Sequence, residues 1–283
     1  MTDYILYNPL SGTGSAKENA EVLSAVSKNK TVILNMTDII DYSTFFNSLD
    51  INDRIIICGG DGTLNRFVND TDNIKLDQRV LYCPSGNGND LARDLGYDQS
   101  NSPLDITEHI KSLPTVTVKG KTYRFINNVG FGIDGYCCEV GDELKNKSDK
   151  PVNYTTIAIK GLLFHFNPCG ATVTVDGKRY RYNRVWLAPT MKGRFYGGGM
   201  MPTPFQQRCS ATHELSLMVM HGAGKFKTLR IFPSIFKGMH IRHPKHVVIH
   251  TGKQITVTFD IPCALQIDGE TISNVMSYTA FAN

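Results

Sequence analysis

Arg54-Ile55-Ile56-Ile57-Cys58-Gly59-Gly60-Asp61-Gly62-Thr63-Leu64-Asn65 is the stretch on which the fold reading turns. An unbroken β-branched run that stops on paired glycines has the pattern of a parallel strand covered on both faces, with a tight turn at its carboxyl end. The residues after the turn, Asp61–Val68, carry a helical pattern, so strand, loop and helix follow in succession. The same succession recurs on either side. Upstream, Tyr4–Tyr7 reads as a buried strand and Ser15–Lys28 as a helix with Ala20, Leu23 and Val26 at helical spacing. Thr31–Leu34 and Tyr42–Leu49 then read as strand and short helix. Downstream, Arg79–Cys83 is a strand and Asn89–Leu95 a helix closed by Gly96. Repeated in this way, the pattern predicts an α/β domain with a parallel sheet whose loops gather at one edge.

Past about residue 114 the pattern changes to short strands and hairpins. Thr115–Val118 and Thr122–Ile126 flank Lys119-Gly120-Lys121, and Ala171–Val175 and Arg179–Tyr182 flank Asp176-Gly177, a strong hairpin signal. Val185–Leu187, Leu215–Met220, Val247–His250, Ile255–Phe259 and Ala264–Ile267 continue the run, with helical inserts at Asn153–Phe164 and Lys225–Phe236. The expected architecture is a nucleotide-binding α/β domain over 1–114 and an antiparallel β-sandwich over 115–274. Residues 275–283 are a candidate for completing the first domain.

Composition sets the outer bounds. The chain has 283 residues, 41% of them hydrophobic, enough for two packed cores and too apolar for disorder. Apolar runs such as Ile55–Cys58 fall far short of the ~20 residues of a membrane span. The seven cysteines show no C-x-x-C pairing and sit largely in apolar runs, which reads as reduced thiols. With strand-like sequence starting directly after Met1, a cytoplasmic protein is expected. The net charge of +4 hides an asymmetry: from Gly177 to Gln254 there are 14 Lys/Arg and one acid, Glu214. Such a stretch is either a solvated basic face or the footprint of an anionic partner.

Chemistry is carried by the loops after the strands. Asn8-Pro9-Leu10-Ser11-Gly12-Thr13-Gly14, Gly59 to Asn65, and Pro84-Ser85-Gly86-Asn87-Gly88-Asn89-Asp90 all fall where an open α/β sheet binds ligands. Glycine lets backbone approach a phosphate, and helix N-termini offer N–H groups to it. None of the three is a G-x-G-x-x-G or G-x-x-x-x-G-K-[ST] fingerprint. Asp61, a carboxylate between glycines, is read either as a helix N-cap or as a metal or phosphate-site residue.

Taken together, GGDGTLN after Asn8-Pro9-x-Ser11-Gly12 and before Pro84-x-Gly86-x-Gly88-Asn89-Asp90-Leu91-Ala92-Arg93 resembles the diacylglycerol kinase catalytic domain. It is similar in particular to soluble bacterial lipid kinases related to sphingosine kinases. Asn128-x-Gly130-Phe131-Gly132-Ile133-Asp134, Gly197-Gly198-Gly199-Met200 and Gln266-Ile267-Asp268-Gly269-Glu270 follow in the family's order. The resemblance implies an NAD-kinase-like first domain, ATP with Mg²⁺ in a cleft, and a lipid hydroxyl as acceptor. It assigns Asn8, Pro9, Ser11, Gly12, Thr37, Gly59, Gly60, Gly62, Thr63, Leu64, Asn65, Gly86 and Asn87 to the nucleotide. Asp61, Asp268 and Glu270 receive metal and base roles, with Asp61 acting through the ATP-bound Mg²⁺, and Asp134 is placed toward the acceptor. Asp268-Gly269 alone would read as a hairpin turn.

Two positions depart from the family pattern. Arg66 replaces the usual Glu, and His213-Glu214 stand where many members have the Asp-Gly of a structural magnesium site, which imidazole would serve poorly. The rival readings are an NAD-kinase-like enzyme and a catalytically weakened lipid- or nucleotide-binding protein. Expected partners are a lipid substrate at an anionic membrane surface, with peripheral association, and no nucleic acid; a homodimer is left open. Lys225–Lys237 interleaves cations with Phe226, Leu229, Phe232 and Phe236 and reads either as an interfacial helix or as a cover over the β domain.

Overall fold

The computed structural model describes residues 1–9, 15–97, 102–147 and 152–283. The chain divides into Met1–Leu113 and Pro114–Asn283. In the first unit the elements are β1 (Thr2–Tyr7), α1 (Ala16–Val26), β2 (Lys30–Asn35), α2 (Tyr42–Asn47), β3 (Arg54–Gly59), α3 (Asp61–Asp70), β4 (Arg79–Pro84), α4 (Asp90–Asp94), β5 (Leu104–Asp105) and α5 (Thr107–Lys111). The sheet runs β2-β1-β3-β4-β5, with β1 to β4 parallel and β5 antiparallel to β4. Central β3 is buried on both faces, as its β-branched run required: Ile55, Ile57 and Cys58 are fully buried and Ile56 nearly so. One face packs Ile5, Ile56, Cys58 and Leu81 on Ala20 and Leu23 of α1. Elsewhere in the unit Tyr42 and Phe46 of α2 meet Phe67 of α3 edge-on. Each such side chain contributes about 1.5–3 kcal/mol by leaving water. Periodicity gives no sign of the clamp at the start of the sheet, where Arg54 on β3 forks onto buried Asp3 of β1 at 2.7 and 2.6 Å. That geometry fixes the register of the two strands whose ends carry the first two loops.

The second unit contains β6 (Thr115–Val118), β7 (Lys121–Arg124), β8 (Asn128–Gly132), α6 (Ile133–Lys147), α7 (Tyr154–Lys160), β9 (Cys169–Val175), β10 (Lys178–Met191), β11 (Leu215–His221), α8 (Lys225–Ile231), β12 (Val247–Gly252), β13 (Gln254–Ile267) and β14 (Glu270–Phe281). Its sheet is antiparallel throughout, in the order β12-β11-β10-β8-β13-β14-β6-β7, with β9 pairing β10 and β13 off that path. The two 14-residue strands make this possible. The first half of each pairs with β9 and the second half with β8, and each has a register shift between the halves. These shifts explain why the sequence patterns of β10 and β13 broke into shorter pieces. The strands enclose a core that includes Phe131, Val173, Val219, Val257, Phe259 and Tyr278. A second core packs α6, α7 and α8 on Trp186, Leu187, Met218 and Met220.

One expectation is corrected. Residues 275–283 do not complete the first unit: β14 pairs with β13 along most of its length and with β6 near its end. Its Val275, Tyr278 and Ala280 are buried in the β core, and the intervening Ser and Thr had masked the strand's alternation.

Candidate active site

In the first unit, β3 and β4 lie in register from Arg54↔Arg79 to Gly59↔Pro84, so the loops that follow them leave the sheet side by side. Ser85 N–H donates to Gly59 O at 2.9 Å. A Cβ placed on Gly86 would fall 2.5 Å from Gly60 Cα, closer than atoms can pack, so Gly86 permits backbone-to-backbone contact. Asp61, the first residue of α3, bridges the two loops: its Oδ2 accepts from Asp90 N at 2.9 Å and its Oδ1 from Leu91 N at 3.2 Å. A single carboxylate thus sits at the N-termini of α3 and α4, where both helix dipoles favour negative charge. Asn89, in left-handed conformation at φ 50°, closes the third loop by exchanging hydrogen bonds with Gly86 N and O at 3.0 and 2.7 Å. Asn8 reaches the second loop, its Nδ2 donating to Thr63 Oγ1 at 3.3 Å. Ser85 Oγ is buried and among the described residues meets no hydrogen-bond partner. Glycines with no room for a Cβ, helix N-termini and an orphan hydroxyl fit a phosphate chain.

The remaining expected nucleotide residues fall less uniformly. Gly59 leaves room for the Thr63 side chain, which a Cβ would meet at 2.4 Å. The Leu64 side chain is fully buried in the core, and its N–H donates to Gly60 O at 3.2 Å. Asn65 accepts from Asn69 on its own helix. Thr37 is exposed on a short turn, donating twice to Asn35 Oδ1, and Asn87 is exposed at the tip of the third loop. Pro9 is exposed, while Ser11 and Gly12 lie outside the described residues. Arg66 stands on the outer face of α3, paired with Asp70 at 3.3 Å across one helical turn.

In the second unit, Asp268 and Gly269 form the turn between β13 and β14 with φ 47° and 94°. The Asp268 carboxylate accepts the N–H groups of Ile126, Asn127 and Asn128 at 2.5, 2.7 and 2.9 Å. It is an anchor for the segment that enters β8, because its two oxygens hold three successive backbone N–H groups. The hairpin reading of this pair therefore holds in the fold. Glu270 is exposed at the start of β14. Asp134, in contrast, is 7% exposed in the first turn of α6, its Oδ1 accepting from Gly135 N and its Oδ2 from Gln266 Nε2 at 3.1 Å. Gln266 in turn accepts from Gly269 N at 3.0 Å, linking Asp134 to the Asp-Gly turn. Burial pushes the Asp134 carboxyl up to about 6, against the pull of those hydrogen bonds. On β8, Asn128 is 1% exposed and its Nδ2 has no partner among the described residues. Strand alternation puts it on the face of Gly130, whose missing side chain makes room for Asp134 Oδ2. His213, with φ 52°, and Glu214 precede β11; among the described residues no group of three or more His, Cys, Asp or Glu gathers for a metal.

The Asp134 environment gives a pH signature. Its folded value lies above the ordinary 3.8. Between about pH 4 and 6 the folded chain therefore holds a proton that the unfolded chain has released. Stability from this group is complete below pH ~4, falls as pH rises toward ~6 and stays low above it, by about 3 kcal/mol in all. Asp134→Asn is expected to melt higher than the wild type near neutral pH and to match it near pH 4. Identical melting of the two proteins across that range would contradict a buried, titrating carboxyl.

With this geometry in view, similarity to known proteins becomes informative. Residues 3–120 match the diacylglycerol kinase catalytic domain, and residues 127–280, more than half of the chain, match the YegS C-terminal NAD kinase beta sandwich-like domain. The chain belongs to the diacylglycerol kinase catalytic-domain family. To YtlR of Bacillus subtilis it is 25% identical over 186 residues, spanning 58% of each protein. To a diacylglycerol kinase of Mycobacterium tuberculosis it is 26% identical over 274 residues, 91% of this chain and 84% of that one. The fold matches a crystal structure of a diacylglycerol kinase from Bacillus anthracis with a TM-score of 0.61, at 18% identity over 99% of this chain and 94% of that one. The family is one of kinases. Among the described residues no helix of this member is long and apolar enough to cross a membrane.

Proposed function

We propose that this kinase transfers the γ-phosphoryl group of ATP to the hydroxyl of a diacylglycerol-like lipid. The observation that carries the reading is the single carboxylate of Asp61 holding the N-terminus of α4 against the GGDG turn, because it makes two Gly-rich loops one rigid cradle. Phosphoryl transfer asks a protein mostly for positioning and charge stabilisation, and a preformed cradle supplies the first. In this reading Gly60, Gly62, Thr63, Gly86 and Asn87 hold the nucleotide phosphates, with Asn8 supporting Thr63. ATP bound there supplies the transferable phosphoryl group, and its Mg²⁺ neutralises charge beside Asp61.

The acceptor is assigned to the second unit. Asp134 takes the lipid hydroxyl and accepts its proton, since a carboxyl titrating near 6 combines an ionised form at neutral pH with useful basicity. Asp268 positions the 126–128 segment and does not act as the base. Incubating the protein with radiolabelled ATP, mixed micelles carrying diacylglycerol or other lipid alcohols, and NAD in parallel tests the reading. Labelled lipid supports it, labelled NAD alone favours the NAD-kinase-like alternative, and no labelled product removes the kinase assignment of the site.

A lipid acceptor requires docking to a membrane surface. In α8 and the 3₁₀ turn after it, Phe232–Lys237, Ile231 and Ile235 are buried and Leu229 and Phe232 pack on the same core, so one side covers the β domain. Phe226 at 85% exposure and Phe236 at 46% do not. Lys225 is spent on Leu163 O, next to exposed Phe164, which leaves Lys227, Arg230 and Lys237 among the exposed aromatics. Each cation contributes roughly 1 kcal/mol near an anionic surface. Co-sedimentation is therefore expected to be stronger with anionic than with neutral vesicles, to fade with salt, and to weaken in Phe226→Ser. Equal or absent binding to both vesicle types would end the docking assignment.

A further inference from the structure

Cys58 and Cys83 lie near the carboxyl ends of β3 and β4, on the same side of the sheet. They stand opposite each other in the parallel register, one residue before the Gly59↔Pro84 pair from which the second and third loops depart. Both side chains join the core cluster under α1, Cys58 fully buried and Cys83 half-buried at its margin. The two sulfurs are within hydrogen-bond reach, the Cys58 S–H donating to Cys83. That bond holds the Cys83 thiol below its ordinary value and the Cys58 thiol well above it, with burial adding to the second.

A lone cysteine in an apolar run packs as a small hydrophobe. Two in contact differ. Neighbouring strands run about 4.8 Å apart, inside the ~4.4–6.8 Å that a disulfide spans between Cα atoms. The two thiols also contrast in the way a redox couple requires. Half-buried Cys83 is the one a solvent-borne oxidant meets first, and Cys58 rests against it as the resolving thiol. We propose that Cys58 and Cys83 are a redox pair, which a peroxide joins into a disulfide and a thiol reductant parts again, and that the joined form loosens the loop cradle.

The chemistry runs in two steps. The Cys83 sulfur attacks one peroxide oxygen: an S–O bond forms, the O–O bond breaks, and the leaving hydroxide takes the thiol proton as water. The Cys58 sulfur then attacks the Cys83 sulfur: an S–S bond forms, the S–O bond breaks, and hydroxide leaves as water with the Cys58 proton. Both sulfurs are oxidised and both peroxide oxygens are reduced. A dithiol reverses the change and becomes a disulfide itself. To bond, the sulfurs must close to about 2.05 Å. Little slack exists between the strand ends, because Gly86 already meets Gly60 and Ser85 N–H is already held by Gly59 O. The pull therefore passes to the hydrogen bonds farther along the loops, those of Asp61 with Asp90 N and Leu91 N. Only the effect on ATP binding rests on the function proposed above.

Reduced protein would be treated with hydrogen peroxide, alkylated, and digested with trypsin without reduction. The two cysteines fall in separate peptides, Ile55–Arg66 and Val80–Arg93. The expected product joins these peptides, two hydrogens lighter than their sum, and disappears after dithiothreitol. Amide exchange at Asp90 and Leu91 is expected to speed roughly tenfold in the oxidised protein, with ATP affinity falling by a similar factor and both recovering on reduction. Cys83→Ser is expected to behave like the reduced wild type before and after peroxide, and Cys58→Ala serves the same comparison should the serine variant fold poorly. Absence of the joined peptide under conditions that oxidise exposed Cys209 overturns the pair. So does an equal peroxide response at Asp90 and Leu91 in Cys83→Ser, or a joined peptide with unchanged exchange there. A reduced protein that binds no ATP, yet whose exchange responds as described, upholds the redox pair and removes only the nucleotide reading.

Discussion

Asp61→Ala is expected to lower phosphoryl transfer by about two orders of magnitude or more while leaving the first unit folded. The sheet beneath it depends on Ile55, Ile57 and their neighbours, none of which touches the carboxylate's task. What the mutation removes is the acceptor for Asp90 N and Leu91 N, so the third loop loses its tether to the second. It also removes a negative charge where a metal-bound nucleotide would need it. Asp61→Asn separates the two effects, since an amide oxygen can still accept one of the N–H groups but carries no charge. Activity of either variant within a few-fold of the wild type would overturn the role of Asp61. An active Asn variant beside an inactive Ala variant would assign it to tethering alone.

Asp268→Ala is the second large effect, and it should appear first as lost stability. Three backbone N–H groups would lose a charged acceptor, and hydrogen bonds to charged groups contribute about 1.5–3 kcal/mol each. Partial exposure lets water replace some of that, so a total near 3–5 kcal/mol is expected. The chain's single tryptophan reports it directly: Trp186 is fully buried in the second unit, with Nε1 donating to Ala223 O at 2.9 Å. Denaturant unfolding followed by Trp186 fluorescence should shift to a clearly lower midpoint in the variant. A wild-type midpoint with activity abolished would return Asp268 to the role of chemical base.

The contrast between these two carboxylates shows what a linear chain discloses. Both follow apolar strands and both sit against glycine, so the pattern marks them equally. Only the fold shows that Asp61 caps a helix 29 residues away and that Asp268 caps a segment 140 residues away. The parallel sheet was legible because β3 and its neighbours carry their burial in unbroken apolar runs. Strand β8 and helix α6 were not, because their glycines hide the pattern while serving contact: Gly132, at φ 118°, lies against Trp186 and Leu187, and Gly135 lies against Ala264 O. The burial of Lys192 and Arg208 was invisible for another reason. Within a stretch so basic, each cation reads as a solvated one, and burial is not a property that charge counting can recover.

The contact of Gly86 with Gly60 has a consequence for descent. Gly86 has ordinary backbone angles, so nothing local forbids a side chain there; only the facing chain does. The reverse holds at Gly177 and Gly269, where space is open and the left-handed backbone sets the limit. Under mutation the second kind of site can drift to asparagine or aspartate and back. The first kind has no neighbouring solution, because any gain at 86 demands a simultaneous retreat at 60. Two turns far apart in sequence are thereby locked into one heritable unit, and lineages can diversify around them only by changing what surrounds the lock.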